Sequence, residues 1–328
     1  MIKRRTVLGS ALAAAAVSIL PKQAFARKIT PPFKLFDAHG HFYTNDTARY
    51  PFNARGSRYG PEVMIAKAMA YPMTPEVVFR EWDLAGIEMG LGVQYNSTYA
   101  FDNGYLLDIA KQYPDRILPV VILSPTDPKT PATLERMAKE DRIVGVRFTG
   151  MPNKETGQYP FLGDAATGAW EVCDSLGLSI TLMPLGEKVP DAMQQVGVLA
   201  ARYPNVAIVL DHIGFPKAEI SPTWGLTPHH VALAQHKNVY YKLTTLLIDQ
   251  LKDAKVPTDQ FMLHMVKTYG ADHFVWGTDI GNSEGWVEDF VQDALYSARM
   301  LTPEQQKAVF YDTAKALFIP GGRGRSRA

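Results

Sequence analysis

The chain has 328 residues, 46% of them hydrophobic and 20% charged, with a formal net charge of +1. That length supplies a large core, and the near-neutral balance excludes a nucleic-acid footprint or acidic tail and argues against a polyanionic partner. The lone cysteine, Cys173, rules out an intrachain disulfide or a cysteine-based metal site, and a buried small hydrophobe is its ordinary use.

In chain order, residues 1–26 read as a processing segment. Lys3-Arg4-Arg5-Thr6-Val7-Leu8 opens it, an alanine-rich apolar stretch runs to Leu20, and Ala24-Phe25-Ala26 has the small-x-small form of a cleavage site. Adjacent arginines before a modestly apolar run point to a twin-arginine export signal, hence to a periplasmic protein free of the membrane once the signal is removed. An uncleaved anchor is the alternative, but the run is short for a membrane span.

Beyond the signal, β-rich runs alternate with helical patterns. The predicted strands are Lys34–His39, Met89–Gln94, Ile117–Leu123, Ile143–Phe148, Leu178–Met183, Val206–Asp211, Val239–Leu243 and Phe274–Thr278. Several are nearly continuous apolar runs, the pattern of strands covered on both faces by helices. Predicted helices include Gly104–Gln112, Pro131–Glu140, Ala165–Ser175, Asp191–Arg202 and Asp259–Tyr269. Alternation means βα units and a parallel sheet, and eight strands is the number that closes a (β/α)8 barrel. No GxGxxG follows a strand to favour an open doubly wound sheet. A single-domain TIM barrel over residues 27–320 is therefore expected, with residues 321–328 as a disordered tail.

The longest connection, from Phe42 to about Thr74, follows the first strand and carries Tyr43, Arg49, Arg55 and Arg58. A loop of that length is usually functional. It is expected to act as a lid whose cationic and phenolic groups aim at the mouth, or else as a surface excursion against a neighbouring subunit.

Chemistry-bearing residues gather at predicted strand ends, the place where barrel enzymes keep their catalytic groups. His39 and His41 stand at i and i+2 on an extended segment and so point the same way, towards a metal or a polarised carbonyl. Asp279, after Trp276-Gly277-Thr278, is the candidate general base, with a helix N-cap as its alternative use. His212 is a candidate metal ligand or carbonyl polariser, or a core histidine. Asp211 beside it suits an imidazole-orienting role. Arg147, in Val144-Gly145-Val146-Arg147-Phe148-Thr149, grips a carboxylate or sits in a buried ion pair. His229, His230, His236, His264 and His273 read as structural, and Trp82 and Trp276 as core.

These residues together resemble the amidohydrolase superfamily, in its amidohydrolase-related branch of lactonases and decarboxylases. The resemblance spans nearly the whole mature chain. It is carried by His39-x-His41, the Gly-Val-Arg strand with Arg147, Leu210-Asp211-His212 with Gly214-Phe215-Pro216, Trp276-Gly277-Thr278-Asp279, and a last helix ending Thr313-Ala314-Lys315-Ala316-Leu317-Phe318. In that last motif Asp312-Thr313 replaces the branch's asparagine. The resemblance implies a (β/α)8 barrel with hydrolytic or lyase chemistry at its mouth. One departure bears on the metal: the fifth strand, Ser179-Ile180-Thr181-Leu182-Met183-Pro184, lacks the histidine that metal-dependent members carry there, and the fourth offers Arg147. A binuclear centre is then not expected. A single divalent ion, zinc or manganese, would rely on His39, His41 and Asp279 with His212. Metal-free hydrolysis stays open, because the pattern is similar to dicarboxylate and sugar lactonases, some of which need no metal.

The leading expectation is hydrolysis of a lactone or similar cyclic ester. Asp279 would deprotonate water while His39, His41 and His212 polarise the carbonyl directly or through one ion. Arg147, Arg49, Arg55, Arg58 and Tyr43 would bind a small carboxylated or polyhydroxylated substrate. The rivals are a metal-dependent decarboxylase or hydratase of an aromatic or unsaturated acid, and an exported binding protein on a degenerate barrel. A homo-oligomer is compatible with the branch.

Overall fold

The structure, a computed structural model, describes residues 30–57 and 59–319. The expected export signal of residues 1–26, the tail 321–328 and Arg58 lie outside the described residues. Eight parallel strands follow one another around one sheet in sequence order: β1 Leu35–Gly40, β2 Ile87–Val93, β3 Ile117–Ile122, β4 Gly145–Gly150, β5 Ser179–Pro184, β6 Ile208–Leu210, β7 Val239–Thr244 and β8 Phe274–Gly277. The last returns to the first through a parallel bridge between Gly40 and Ile280. Asp279 N donates to His39 O at 2.8 Å and His41 N donates to Ile280 O at 3.0 Å, so the closure is made at the site itself. The result is a (β/α)8 barrel, with every strand on a predicted run.

Alternation sorts the strand residues into two cores. Phe36, Ala38, Leu91, Val93, Val120, Ala207, Val209, Tyr240 and Val275 fill the barrel interior, which Tyr311, Ala314, Leu317 and Phe318 plug at the N-terminal ends of the strands. Outward residues such as Trp276 and Ile180 pack beneath the helices, together with Trp82 and Trp170 from the helices themselves. The helices start where prolines suit their first turns, as at Pro61–Ala70 and Pro75–Ala85. The second ends at Gly86, whose φ of 77° gives the left-handed turn that feeds β2.

The long connection after β1 is not one open loop. Its second half is the helix Pro61–Ala70, whose Met64 and Ala68 are buried, and its ends are tied where Tyr43 N donates to Met73 O at 3.1 Å. A pattern with two buried positions and exposed Val63 and Met69 blurs the amphipathic signal from which a helix would be read. Among the described residues no helix is long and apolar enough to cross a membrane.

Candidate active site at the barrel mouth

The β1–β2 register shifts between Asp37 and Gly40, so that both Ala38 and His39 face the interior. Asp37 stays behind the strand. Its Oδ1 accepts from Thr278 N and His39 N, both at 2.9 Å, and its Oδ2 from Trp82 Nε1 at 3.0 Å, which fastens β1 to the end of β8. Gly277 is needed for this approach, because a Cβ there would lie 2.5 Å from His39 Cβ. Past β6 and β8 the chain turns through positive φ at His212 (53°) and Asp279 (57°), conformations that non-glycine residues avoid and that recur at functional sites.

Three donor atoms converge. His39 Nε2 and His41 Nε2 are 3.2 Å apart, and Asp279 Oδ1 lies 3.5 Å from the first and 3.4 Å from the second. His41 Nδ1 donates to Val93 O at 2.8 Å; a carbonyl accepts only, so Nε2 holds a lone pair. His39 Nδ1 is 3.3 Å from Asp211 Oδ1, and a proton there leaves its Nε2 free as well. The other carboxylate oxygen of Asp279, Oδ2, accepts from Asn282 Nδ2 at 2.7 Å and Ser283 Oγ at 2.9 Å.

The charges are set by burial and pairing. Burial raises the pKa of the Asp279 carboxyl, but hydrogen bonding to His41 and the electrostatic pull of the neighbouring imidazoles prevail and hold it below the ordinary carboxylate range. Burial also lowers His39 well below its usual value, helped by Lys242, and brings His212 down to about 4 against the pull of Asp211 and Asp279. At neutral pH Asp279 is then a carboxylate and His39 a neutral imidazole. Tetrahedral coordination with bonds of ~2.0–2.1 Å puts neighbouring donors about 3.3–3.4 Å apart. The observed spacings of 3.2, 3.4 and 3.5 Å straddle that distance, so the residues fit a divalent ion such as zinc or manganese.

Of the four ligands predicted, His39, His41 and Asp279 come together, whereas His212 groups with His39 and Asp211. His212 Nδ1 is 2.6 Å from Thr244 Oγ1, its ring is tilted against Phe215 and it lines the cavity. Arg147 also lines the cavity, but its Nε donates to Asp211 Oδ2 at 2.7 Å.

Three predicted substrate groups are elsewhere. Exposed Arg49 pairs with Asp108 at 2.9 Å on the outside of the barrel. Arg55 is exposed and outside the cavity lining, although its neighbour Gly56 reaches the rim. Tyr43 is buried with its hydroxyl donating to Gly281 O at 3.0 Å, a structural tie. Arg49 and Tyr43 do not reach the mouth because Asp108 and the Gly281 carbonyl hold them first, and Arg55 stays on the exposed side of the loop.

Sequence reasoning missed Lys242 and Tyr95. Lys242 on β7 is fully buried, with Nζ 2.8 Å from Asp211 Oδ1 and 3.1 Å from His39 Nδ1. A lysine inside Val239-Tyr240-Tyr241-Lys242-Leu243-Thr244 carries the same signal that singled out Arg147: a cation in an apolar strand needs a buried partner. Tyr95 stacks on His41 at 4.4 Å and its hydroxyl donates to Asn282 Oδ1 at 3.0 Å. Nothing in its local sequence distinguished it from other tyrosines.

A closed (β/α)8 barrel with a metal-compatible imidazole–carboxylate trio at the C-terminal ends of its strands defines a class of hydrolytic barrel enzymes. The amidohydrolase family profile matches residues 36–319, and the chain belongs to that family; it is an enzyme, a hydrolase. An L-fucono-1,5-lactonase of Burkholderia ambifaria is 26% identical over 231 residues, 63% of this chain and 73% of that protein. A Pseudomonas putida structure with a provisional 2-pyrone-4,6-dicarboxylic acid hydrolase assignment superposes with a TM-score of 0.65 at 24% identity, over 87% of this chain and 97% of that one. A dihydroxybenzoic acid decarboxylase of Polaromonas sp. JS666, with bound manganese and 2-nitroresorcinol, has a TM-score of 0.63 at 17% identity, over 89% and 98% of the two chains.

Proposed function

We propose that the protein hydrolyses a small lactone at the barrel mouth. The observation that carries this is the convergence of His39 Nε2, His41 Nε2 and Asp279 Oδ1 within 3.5 Å of one another at a cavity of about 520 Å³. The lactonase relative supports the substrate class. His39, His41 and Asp279 would hold one divalent ion, zinc or manganese, which supplies Lewis acidity at the carbonyl and acidifies water.

The chain's own groups divide the remaining work. Asp279 accepts a proton from the attacking water, with Oδ2 kept in place by Asn282 and Ser283. Water adds to the acyl carbon, the acyl–oxygen bond of the ring breaks, and the proton on Asp279 passes to the departing ring oxygen, leaving a hydroxy acid. His212, oriented by Thr244, and Arg147, oriented by Asp211, donate towards the developing oxyanion. Tyr95 packs on His41 and keeps its ring from turning.

A pH-indicator assay over a lactone panel, on zinc- and manganese-loaded enzyme, tests the proposal. Asp279→Asn should lower turnover at least ~10²-fold while the circular dichroism stays native; near-full activity in that variant would remove Asp279 from the mechanism. A lyase acting on an aromatic acid is the second reading, favoured by the metal-compatible trio and the fold it shares with the manganese-bound decarboxylase. Carbon dioxide release from hydroxylated benzoates without ring-opening activity would select it. The export reading of residues 1–26 goes with the proposal: cell fractionation should recover the activity from the periplasm.

A further inference from the structure

We propose, on the reading of the His39–His41–Asp279 trio as the site that holds the ion, that Asp37 is its positioning residue. Asp37 is fully buried and outside the cavity lining, so it meets no substrate. It holds the closing seam of the barrel together, and thereby keeps the two histidines at the end of β1 in register with Asp279 past β8.

The trio straddles the least laddered seam of the sheet. Neighbouring strands from β1 to β8 are joined by runs of three to six paired residues. Strand β8, by contrast, returns to β1 through the bridge between Gly40 and Ile280. Asp37 supplies what that ladder lacks. Its Oδ1 accepts from His39 N on one side of the seam and Thr278 N on the other, both at 2.9 Å. Its Oδ2 accepts from Thr278 Oγ1 at 2.5 Å and from Trp82 Nε1 at 3.0 Å. Four donors use the acceptor capacity of an ionised carboxylate in full.

Asp279 is the ligand that needs such support. Its φ of 57° is a conformation that a non-glycine residue keeps only where its surroundings over-determine it. Both of its chain neighbours are tied to Asp37: Thr278 directly, and Ile280 because its N donates to Thr278 Oγ1 at 3.0 Å. Asp279 N in turn donates to His39 O at 2.8 Å. One carboxylate therefore fixes the backbone on both sides of the gap that Asp279 Oδ1 spans to the two imidazoles, at 3.4 and 3.5 Å. A glycine makes room for it: a Cβ on Gly90 of β2 would lie 2.3 Å from Asp37 O and 2.9 Å from Trp82 Cη2.

Zinc affinity of the full-length protein, measured by chelator competition, tests this. Asp37→Asn turns one acceptor oxygen into a donor and should weaken zinc binding at least about tenfold. Thr278→Val, a milder change to be read if Asp37→Asn does not fold, keeps the shape of the side chain but removes the hydroxyl between Asp37 and Ile280. It should have the same effect and lower kcat with KM little altered, while Thr278→Ser stays within about threefold of the parent. Phe318→Ala, at the far end of the barrel, should lower stability and leave zinc affinity as it was. Unchanged affinity in Thr278→Val, or an equal loss in Phe318→Ala, overturns the inference. If the parent binds neither zinc nor manganese, the metal reading of the trio fails, and the seam is then read by amide hydrogen exchange. In Thr278→Val the Asp279 and His41 amides should exchange at least about tenfold faster while those of β4 and β5 keep their rates. Uniform acceleration over the sheet, or none, overturns the positioning role.

Discussion

At the N-terminal ends of its strands the barrel interior is closed by hydrocarbon: Phe36 stacks on Phe318 at 6.2 Å, and Ala314 and Leu317 pack beside them. At the opposite ends the same interior holds Arg147, Asp211, Lys242, His39 and Asp279, all buried and in contact. One end is stabilised by burial, which is tolerant and non-directional. The other is stabilised only as a complete set, because removing one member strands the rest without water. A single scaffold thus keeps its stability and its chemistry at separate ends.

That contrast can be broken by two substitutions. Lys242→Met should cost about 3–5 kcal/mol in urea unfolding, since it leaves part of the Asp211 charge buried and unmatched. It should also weaken zinc affinity, because Asp211 and Lys242 both approach His39. A change below about 1 kcal/mol would show that Arg147 alone compensates Asp211. Phe318→Ala should cost about 3 kcal/mol, within the range for a buried aromatic, yet leave kcat/KM of the folded protein unchanged. A loss of rate there would mean that the two ends are coupled.

Acid sharpens the comparison with the smallest effect. His230, away from the mouth, is buried in the turn opened by Thr227, with Nδ1 2.8 Å from Thr227 Oγ1. Burial lowers its pKa to about 4. A folded value below the unfolded ~6.5 means that its contribution is intact above pH ~6.5 and is lost as pH falls towards 4, by at most about 3 kcal/mol. His230→Gln should flatten that part of the stability profile and leave the activity profile at the mouth unaltered. A shifted activity profile would contradict the separation.

Much of the site was legible before any coordinates. His39, His41 and Asp279 could be paired because each follows a recognisable apolar run, and a barrel brings all strand ends to one face. Lys242 went unnoticed although its strand carries the same signal as Arg147, because its partners Asp211 and His39 are distant in sequence. Arg49, Arg55 and Tyr43 were misplaced for the opposite reason. They lie near the site in sequence, but Asp108 and the Gly281 carbonyl claim Arg49 and Tyr43 first.

Periodicity and strand-end chemistry, which depend on neighbours along the chain, by themselves determined the barrel, its eight strands and the imidazole–carboxylate trio. What only the tertiary structure decided is which charges cancel. Arg147 meets Asp211 across 64 residues and Lys242 meets His39 across 203, and no local pattern encodes pairings at such separations. The charge state of the site arises from that long-range pairing because a buried ion is governed by what surrounds it in space.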